Sequence, residues 1–234
     1  MKAIKFPDPQ MDLKNFRLKR IREPQYRHFL LILFWPVYYL RYFLVEMINP
    51  AGSACHVMHC ALDDLIPVCE WFLIPYGLWM VLMLALTAYT MLFDVEAFKK
   101  YMKFLMITIT VSTTVFILYP TCQNLRPETF ERNNLFTWIL SIVYAADTNT
   151  NVCPSEHVIG SMAMLAAAFD CKYLSDRPWK KILITVSMIL VSLSTVFLKQ
   201  HSFLDVLYAL PLCLIAFLIV YKPLKGKVLS TVPA

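Results

Sequence analysis

Glycine and charge are both scarce in this chain: four glycines in 234 residues, and Asp, Glu, Lys and Arg together only 16%. So little glycine excludes a Gly/Ser-rich linker protein. The absence of any charge-dense run beyond the N-terminus, together with abundant aromatics, excludes intrinsic disorder. Soluble domains are about 45–50% apolar and about 25% charged, whereas this chain is 59% apolar with a mean hydropathy of +0.56. A water-soluble globule is therefore excluded, and a multi-span membrane protein remains. The net charge of +6 does not point to nucleic acid, because the basic residues cluster beside apolar runs, where they set membrane orientation and meet anionic headgroups.

What is present is a series of apolar runs. Phe29–Ile48, Phe72–Phe93, Phe104–Pro120 and Ile182–Leu198 are long, and charge enters only the first, at Arg41 and Glu46. Ser155–Phe169 and Ser202–Tyr221 are mostly apolar but open on polar residues; they count as spans four and six. Leu135–Ala146 is too short to cross a hydrocarbon core of about 30 Å at about 1.5 Å per residue, and is expected to lie at the interface or re-enter. The fold class expected is all-α, a polytopic membrane protein of six transmembrane helices with one short interfacial helix. Its parts are a basic cytoplasmic segment (1–28), a membrane domain (29–221) and a basic tail (222–234). The first 27 residues lack an apolar stretch and a small-residue cleavage site, so they read as a cytoplasmic collar rather than a signal peptide. In this arrangement one side of the membrane receives all of the 22 Lys and Arg residues except Arg41, Arg126, Arg132 and Lys199. That bias puts both termini in the cytoplasm and the loops 49–71, 119–154 and 199–202 outside.

Ionisable groups at membrane depth are costly and mark function by default. Three segments carry them to the same outer face: Tyr119 to Pro127, Cys153 to His157, and Ser194 to Asp205. His201 and Asp205 are four apart, so on a helix the carboxylate can hold one imidazole nitrogen and leave the other free to attack. The same spacing also describes a polar pair that merely caps a span. Ser155 after Pro154 is a natural helix N-cap, and capping alone would explain it. The functional alternative is an anion site at the helix N-terminus, with His157 donating a proton to a leaving oxygen. Arg126 offers a planar fork suited to phosphate oxygens, although an interfacial snorkelling residue looks the same.

In this order and spacing the three segments resemble the type 2 phosphatidic acid phosphatase superfamily, whose signature is K-x6-R-P, P-S-G-H and S-R-x5-H-x3-D. Here the matching residues are Tyr119, Arg126 and Pro127, then Pro154, Ser155, Glu156 and His157, then Ser194, Thr195, His201 and Asp205. The resemblance implies that His201 attacks phosphorus to form a phosphohistidine, with Asp205 orienting it. It further implies that His157 protonates the leaving alkoxide, that Ser155 holds the phosphoryl oxygens and that Arg126 clamps them. Neither metal nor other cofactor is required, since fixed cations and N–H groups stabilise the charge on the equatorial oxygens.

Three departures stand out: Tyr119 for Lys, Glu156 for Gly and Thr195 for Arg. Two cations are lost and a carboxylate gained, which disfavours a dianionic monoester more than a monoanionic diester. This relaxed pattern is similar to the sphingomyelin and inositol phosphorylceramide synthase branch, which moves a phospho-headgroup from a phospholipid to a lipid alcohol. Lys199, Arg41 and His59 are candidates to restore the lost charge, and Tyr119, Glu156, Lys199 and Arg41 join Arg126 and Ser155 as candidate substrate-binding residues.

The expected function is that of a lipid phosphatase acting on a phospholipid or lipid phosphate at the exoplasmic face of a bacterial plasma membrane. A headgroup transferase is the alternative, and a non-enzymatic lipid transporter or a catalytically silent relative the rivals. The polar groups gather at one end rather than the midplane, which counts against the transporter. Cys55, His56, His59 and Cys60 match no common zinc spacing; with Asp63, Asp64 and the apolar residues after them, their loop reads as an amphipathic flap over the lipid entrance. Cys122 and Cys153 are a candidate disulfide on the oxidising side. The tryptophans, including Trp71, Trp79, Trp138 and Trp179, read as lipid-facing or packing residues.

Overall fold

Four of the helices start where a polar side chain accepts their free amides, whereas the helices that open at Phe34 and Leu73 continue from 3-10 turns without a side-chain cap. Asp94 accepts from the Ala97 amide at 3.2 Å, Asn134 from Phe136 and Thr137, Ser155 from Val158 at 3.5 Å, and Ser202 from Leu204 at 3.1 Å. Pro178 opens another helix from the first-turn position, where its missing N–H costs nothing. The computed structural model describes residues 7–222; Lys2 and Lys5 of the expected basic collar, and Lys225 and Lys227 of the expected tail, lie outside the described residues.

The helices are α1 (Phe34–Ile48), α2 (Ala61–Leu65), α3 (Leu73–Phe93), α4 (Val95–Leu118), α5 (Leu135–Ala146), α6 (Glu156–Asp170), α7 (Pro178–Phe197) and α8 (Phe203–Tyr221). A 3-10 segment, Arg27–Leu33, runs directly into α1. Five segments are long and apolar enough to cross a membrane: Arg27–Ile48, Glu70–Phe93, Val95–Leu118, Pro178–Phe197 and Phe203–Tyr221. They show lipid-facing apolar surface, for example Leu40 and Phe43 of α1, Leu84 of α3, Ile182 and Ile189 of α7, and Leu214 and Ile215 of α8, all exposed. α4 starts well before its apolar run because Asp94 caps it and Lys99, Lys100 and Lys103 are good helix formers.

The helix expected as span four, α6, has 15 residues, about 22 Å at 1.5 Å per residue. It is the centre of the bundle, packed on α3, α4, α7 and α8. Gly160, Ser161, Ala163, Ala167 and Ala168 on it are buried, and such small residues let neighbouring backbones approach closely. Around it the core is formed by Phe98, Tyr101, Met102 and Leu105 of α4, Ile159 and Met164 of α6, and Ala209 and Cys213 of α8.

The loops before α2 and after α4 are tied together by elements that periodicity did not announce. A two-stranded parallel pair joins β1 (His56–Val57) to β2 (Thr121–Cys122), with His56 opposite Thr121. Cys55, just before β1, and Cys122 form a disulfide across this pair with Cα atoms 5.8 Å apart. The expected Cys122–Cys153 bridge is thereby corrected: Cys153 is a free, buried thiol. At the opposite end, the N-terminal segment is folded against the bundle. The Gln10 amide donates to the Leu92 carbonyl at 2.9 Å, and Tyr26, fully buried, donates to the Asp12 carbonyl at 2.6 Å.

Candidate active site

The Ser155 amide donates to the carbonyl of Asp205 at 3.1 Å, which ties the start of α6 to the start of α8. One hydrogen bond thus brings two segments some 45 residues apart to the same depth, and with them His157 and His201. The His201 Nδ1 lies 3.2 Å from an Asp205 carboxylate oxygen, and its Nε2 lies 3.4 Å from the His157 Nδ1. The same Asp205 oxygen accepts the Ser202 amide at 2.9 Å, so the carboxylate both caps α8 and orients His201. Asp205 is fully buried. Two aromatic rings from α3 hold His157: Tyr76 stacks at 4.8 Å and Trp79 sits at 4.5 Å.

The turn carrying His201 is fixed from several sides. Lys199 adopts φ +52°, and the Gln200 and His201 amides both return to the Thr195 carbonyl. Gln123, buried, donates to the Lys199 carbonyl at 2.9 Å. Arg126 donates to the carbonyls of Tyr144, Asp147 and Thr148 and to the side-chain oxygen of Gln200. Its four terminal N–H groups are thereby occupied, and only Nε is left without a partner. Arg126 therefore stands next to the His201 turn as a brace for it and for the 144–148 loop.

The remaining predicted residues divide. Ser155 is fully buried, its hydroxyl spent on capping α6. Glu156 lines the cavity with the two histidines and accepts from Tyr38 at 2.5 Å and Ser112 at 3.0 Å. Tyr119 does not reach that cavity; it stacks on His56 at 3.9 Å between ring centres. Lys199 points the other way, donating to the Asp63 carbonyl at 2.6 Å. Burial lowers its ammonium pKa, with Asp63 and Asp64 opposing. Arg41 faces α4, 3.4 Å from the Thr110 carbonyl. His59 pairs with Asp64 at 2.8 Å on the surface. Thr195 serves through its carbonyl. The charge lost from the motifs is thus not restored by Lys199, Arg41 or His59 at the cavity.

Asp63 is the member that motif reading missed. Its carboxylate accepts from the Ser202 hydroxyl at 2.6 Å and from the Phe203 and Cys60 amides, each at 2.8 Å. Burial works to raise its pKa, but those donors hold it below the ordinary carboxylate value. The loop expected to be a flap is therefore clamped to the start of α8, while Leu62 and Leu65 face outward. Its Cys and His residues are dispersed: Cys55 is in the disulfide, His56 is on Tyr119, and Cys60 caps α2. Among the described residues no group of three His, Cys, Asp or Glu side chains is placed to hold a metal ion.

The cavity has a volume of about 250 Å³ and is bounded by α1, α3, α4, α6 and the loops at 147–152 and 200–201. Its wall includes Trp79, so this tryptophan faces the histidines rather than lipid alone. Glu46, near the end of α1, anchors the 148–151 loop by accepting from Thr148 at 2.9 Å and Asn151 at 2.7 Å.

The sequence profile of the PAP2 superfamily matches residues 100–227, from within α4 through α8. The chain belongs to the PAP2 superfamily. That stretch contains all three motif segments, and PAP2 membership supports a phosphatase- or phosphotransferase-type lipid enzyme in a helical membrane fold. No curated protein and no solved structure matches the chain.

Proposed function

We propose that this PAP2 protein is a membrane enzyme that cleaves a lipid phosphoester through a phosphohistidine on His201. The observation that carries the reading is the Asp205–His201–His157 line, with contacts of 3.2 and 3.4 Å inside one cavity. Asp205 fixes the His201 tautomer with the proton on Nδ1 and leaves the Nε2 lone pair free. Nε2 attacks phosphorus, the P–N bond forms and the bond from phosphorus to the leaving oxygen breaks. Protonated His157 gives its proton to that oxygen. An acceptor hydroxyl then attacks phosphorus from the other side while His157 takes back its proton, and the P–N bond breaks to restore His201. Water as the acceptor makes the enzyme a lipid phosphatase, the first reading; a lipid alcohol makes it a headgroup transferase.

Arg126 acts by holding Gln200 and the 144–148 loop in place, and Ser155 by tying α6 to α8. The spans are six, with α6 the shortest, both termini cytoplasmic and the histidines near the exoplasmic face; the Lys and Arg bias supports this orientation. The second reading is favoured by the cavity wall, which among the described residues contains Asp147 and Glu156 but no lysine or arginine. That wall suits a diester better than a dianionic monoester.

The test is rapid acid-free quenching of the purified enzyme with lipid substrate, followed by peptide mass mapping. A phosphate-containing adduct on His201 is expected, absent in His201→Ala and forming far more slowly in His157→Ala, which lacks the proton donor for the leaving oxygen. Full turnover by either purified variant would overturn the assignment.

A further inference from the structure

Gln200 stands immediately before His201 and is 2% exposed. The backbone amides of both residues return to the Thr195 carbonyl, at 2.9 and 3.1 Å, so one turn fixes the two together. Gln200 borders the cavity with His157 and His201. The chemistry of its partner settles which end of its side-chain amide is which. A guanidinium only donates, so the Oε1 end meets Arg126 and the NH2 end is left for something else.

That Nε2 is buried and has no acceptor in the protein. A buried donor without an acceptor is costly, and one held fixed at a reaction site is suited to charge that the substrate brings. Among the described residues one other buried, unpartnered donor borders the cavity, the Trp79 Nε1–H. It sits against Gly160, where a Cβ would lie 3.0 Å from it, one turn along α6 from Glu156. Gln200 is the donor joined directly to His201.

A neutral donor also suits the charges on this wall. Asp147 and Glu156 line the same cavity, and a lysine or arginine side chain free within it would be drawn to a carboxylate. An amide is not, and Arg126 polarises it from behind: the guanidinium pulls on Oε1 and so strengthens the Nε2–H groups as donors. The terminal donors of Arg126 are spent on three carbonyls and on Gln200. The positive charge of Arg126 therefore reaches the cavity through the amide.

We propose that Gln200 Nε2 donates to a non-bridging oxygen of the phosphoryl group while His201 Nε2 attacks phosphorus, with Arg126 acting through it. This rests on the phosphoester reading above, and it gives Gln200 the contact that Arg126 and the capping hydroxyl of Ser155 are not free to make. The bond strengthens as charge grows on that oxygen, so it favours the attack more than the binding that precedes it.

The experiment uses the full chain in detergent with short-chain phosphatidic acid and with its methyl diester, and reads the rate at which the His201 adduct forms. Gln200→Glu keeps an oxygen for Arg126 but puts a second oxygen where the NH2 was. It is expected to have a Tm no lower than the parent's and to form the adduct about 100-fold more slowly, the scale of one lost oxyanion donor. A residue that only braced the turn would keep its bond to Arg126 in this variant and keep its rate. Gln200→Leu controls for the added charge. With sulfur, a poor acceptor, at one non-bridging position of the methyl diester, the parent is expected to separate the two phosphorus stereoisomers and Gln200→Leu to lose that distinction. A parental adduct rate in Gln200→Glu, or undiminished stereoisomer discrimination in Gln200→Leu, overturns the proposal. Should Gln200→Leu not fold, Gln200→Glu decides. No His201 adduct from either lipid in the parent would instead overturn the phosphoester reading, and this role with it.

Discussion

Replacing Asp63 with alanine tests whether the α2 loop positions the nucleophile, because Asp63 touches neither histidine. The side chain is 1% exposed and accepts three hydrogen bonds, from Ser202, Phe203 and Cys60. Two of the three donors belong to the first residues after His201. Removing the acceptor strands those donors. A buried unsatisfied donor costs about 1–3 kcal/mol, and water reaches the partly buried Phe203 and Cys60 amides, so the net loss is set at about 3 kcal/mol. For a chain of this size about 3 kcal/mol corresponds to a fall in Tm of about 6–12 °C, read by intrinsic fluorescence in detergent. Ser202→Ala should cost less alone, and in the Asp63→Ala background its effect should shrink to that of losing the α8 cap, about 1 kcal/mol, since the shared bond is already gone. The pH dependence carries a sign. Because the folded carboxyl titrates below its ordinary value, its stabilisation is fully present above about pH 4 and is lost as pH falls through the folded value. The stability gap between the parent and Asp63→Asn should thus be level from neutral pH down to about pH 5 and close only in stronger acid. An Asp63→Ala protein with parental Tm and parental turnover would refute the clamp.

Two further outcomes are expected. Gly160→Ala puts a methyl 2.7 Å from the Trp79 ring, so the ring must leave its place beside His157; overpacking of this kind costs about 1–3 kcal/mol. Tryptophan fluorescence and turnover should both change, and an unshifted emission spectrum with parental activity would count against the cavity geometry. Non-reducing peptide mapping should recover Cys55 linked to Cys122 and leave Cys153 free. Cys55→Ser should lower stability by about 4 kcal/mol, as expected for a cross-link closing a long loop, while Cys153→Ser should leave the disulfide intact.

The sequence made the helices and the two histidines legible because both follow from short-range rules. His201 lies just before the N-cap Ser202 and meets Asp205 because that carboxylate, three residues into α8's start, turns back to cap it, and Ser155 had to cap whatever helix followed it. What local rules do not encode is where a loop side chain points. Tyr119 and Lys199 stand in the motif segments and Arg41 on α1, yet their contacts are decided by tertiary partners: His56, the Asp63 carbonyl and α4 respectively. The same limit hid Asp63, whose partners Ser202 and Phe203 lie about 140 residues away, and the Cys55–Cys122 pairing, which accompanies β1 meeting β2 across more than sixty residues. Trp35, Tyr38 and Tyr42 fall on one face of α1 by their spacing, but a lipid-facing stripe and a cavity wall have the same spacing. Only the position of Glu156 separates them, because a carboxylate on α6 that accepts from Tyr38 requires that stretch of α1 to face inward. A residue that reads as a flaw in the P-S-G-H pattern is therefore the one that ties the aromatic wall to the histidines. Its replacement by the family's glycine should loosen α1 from the cavity before it restores any affinity for phosphate.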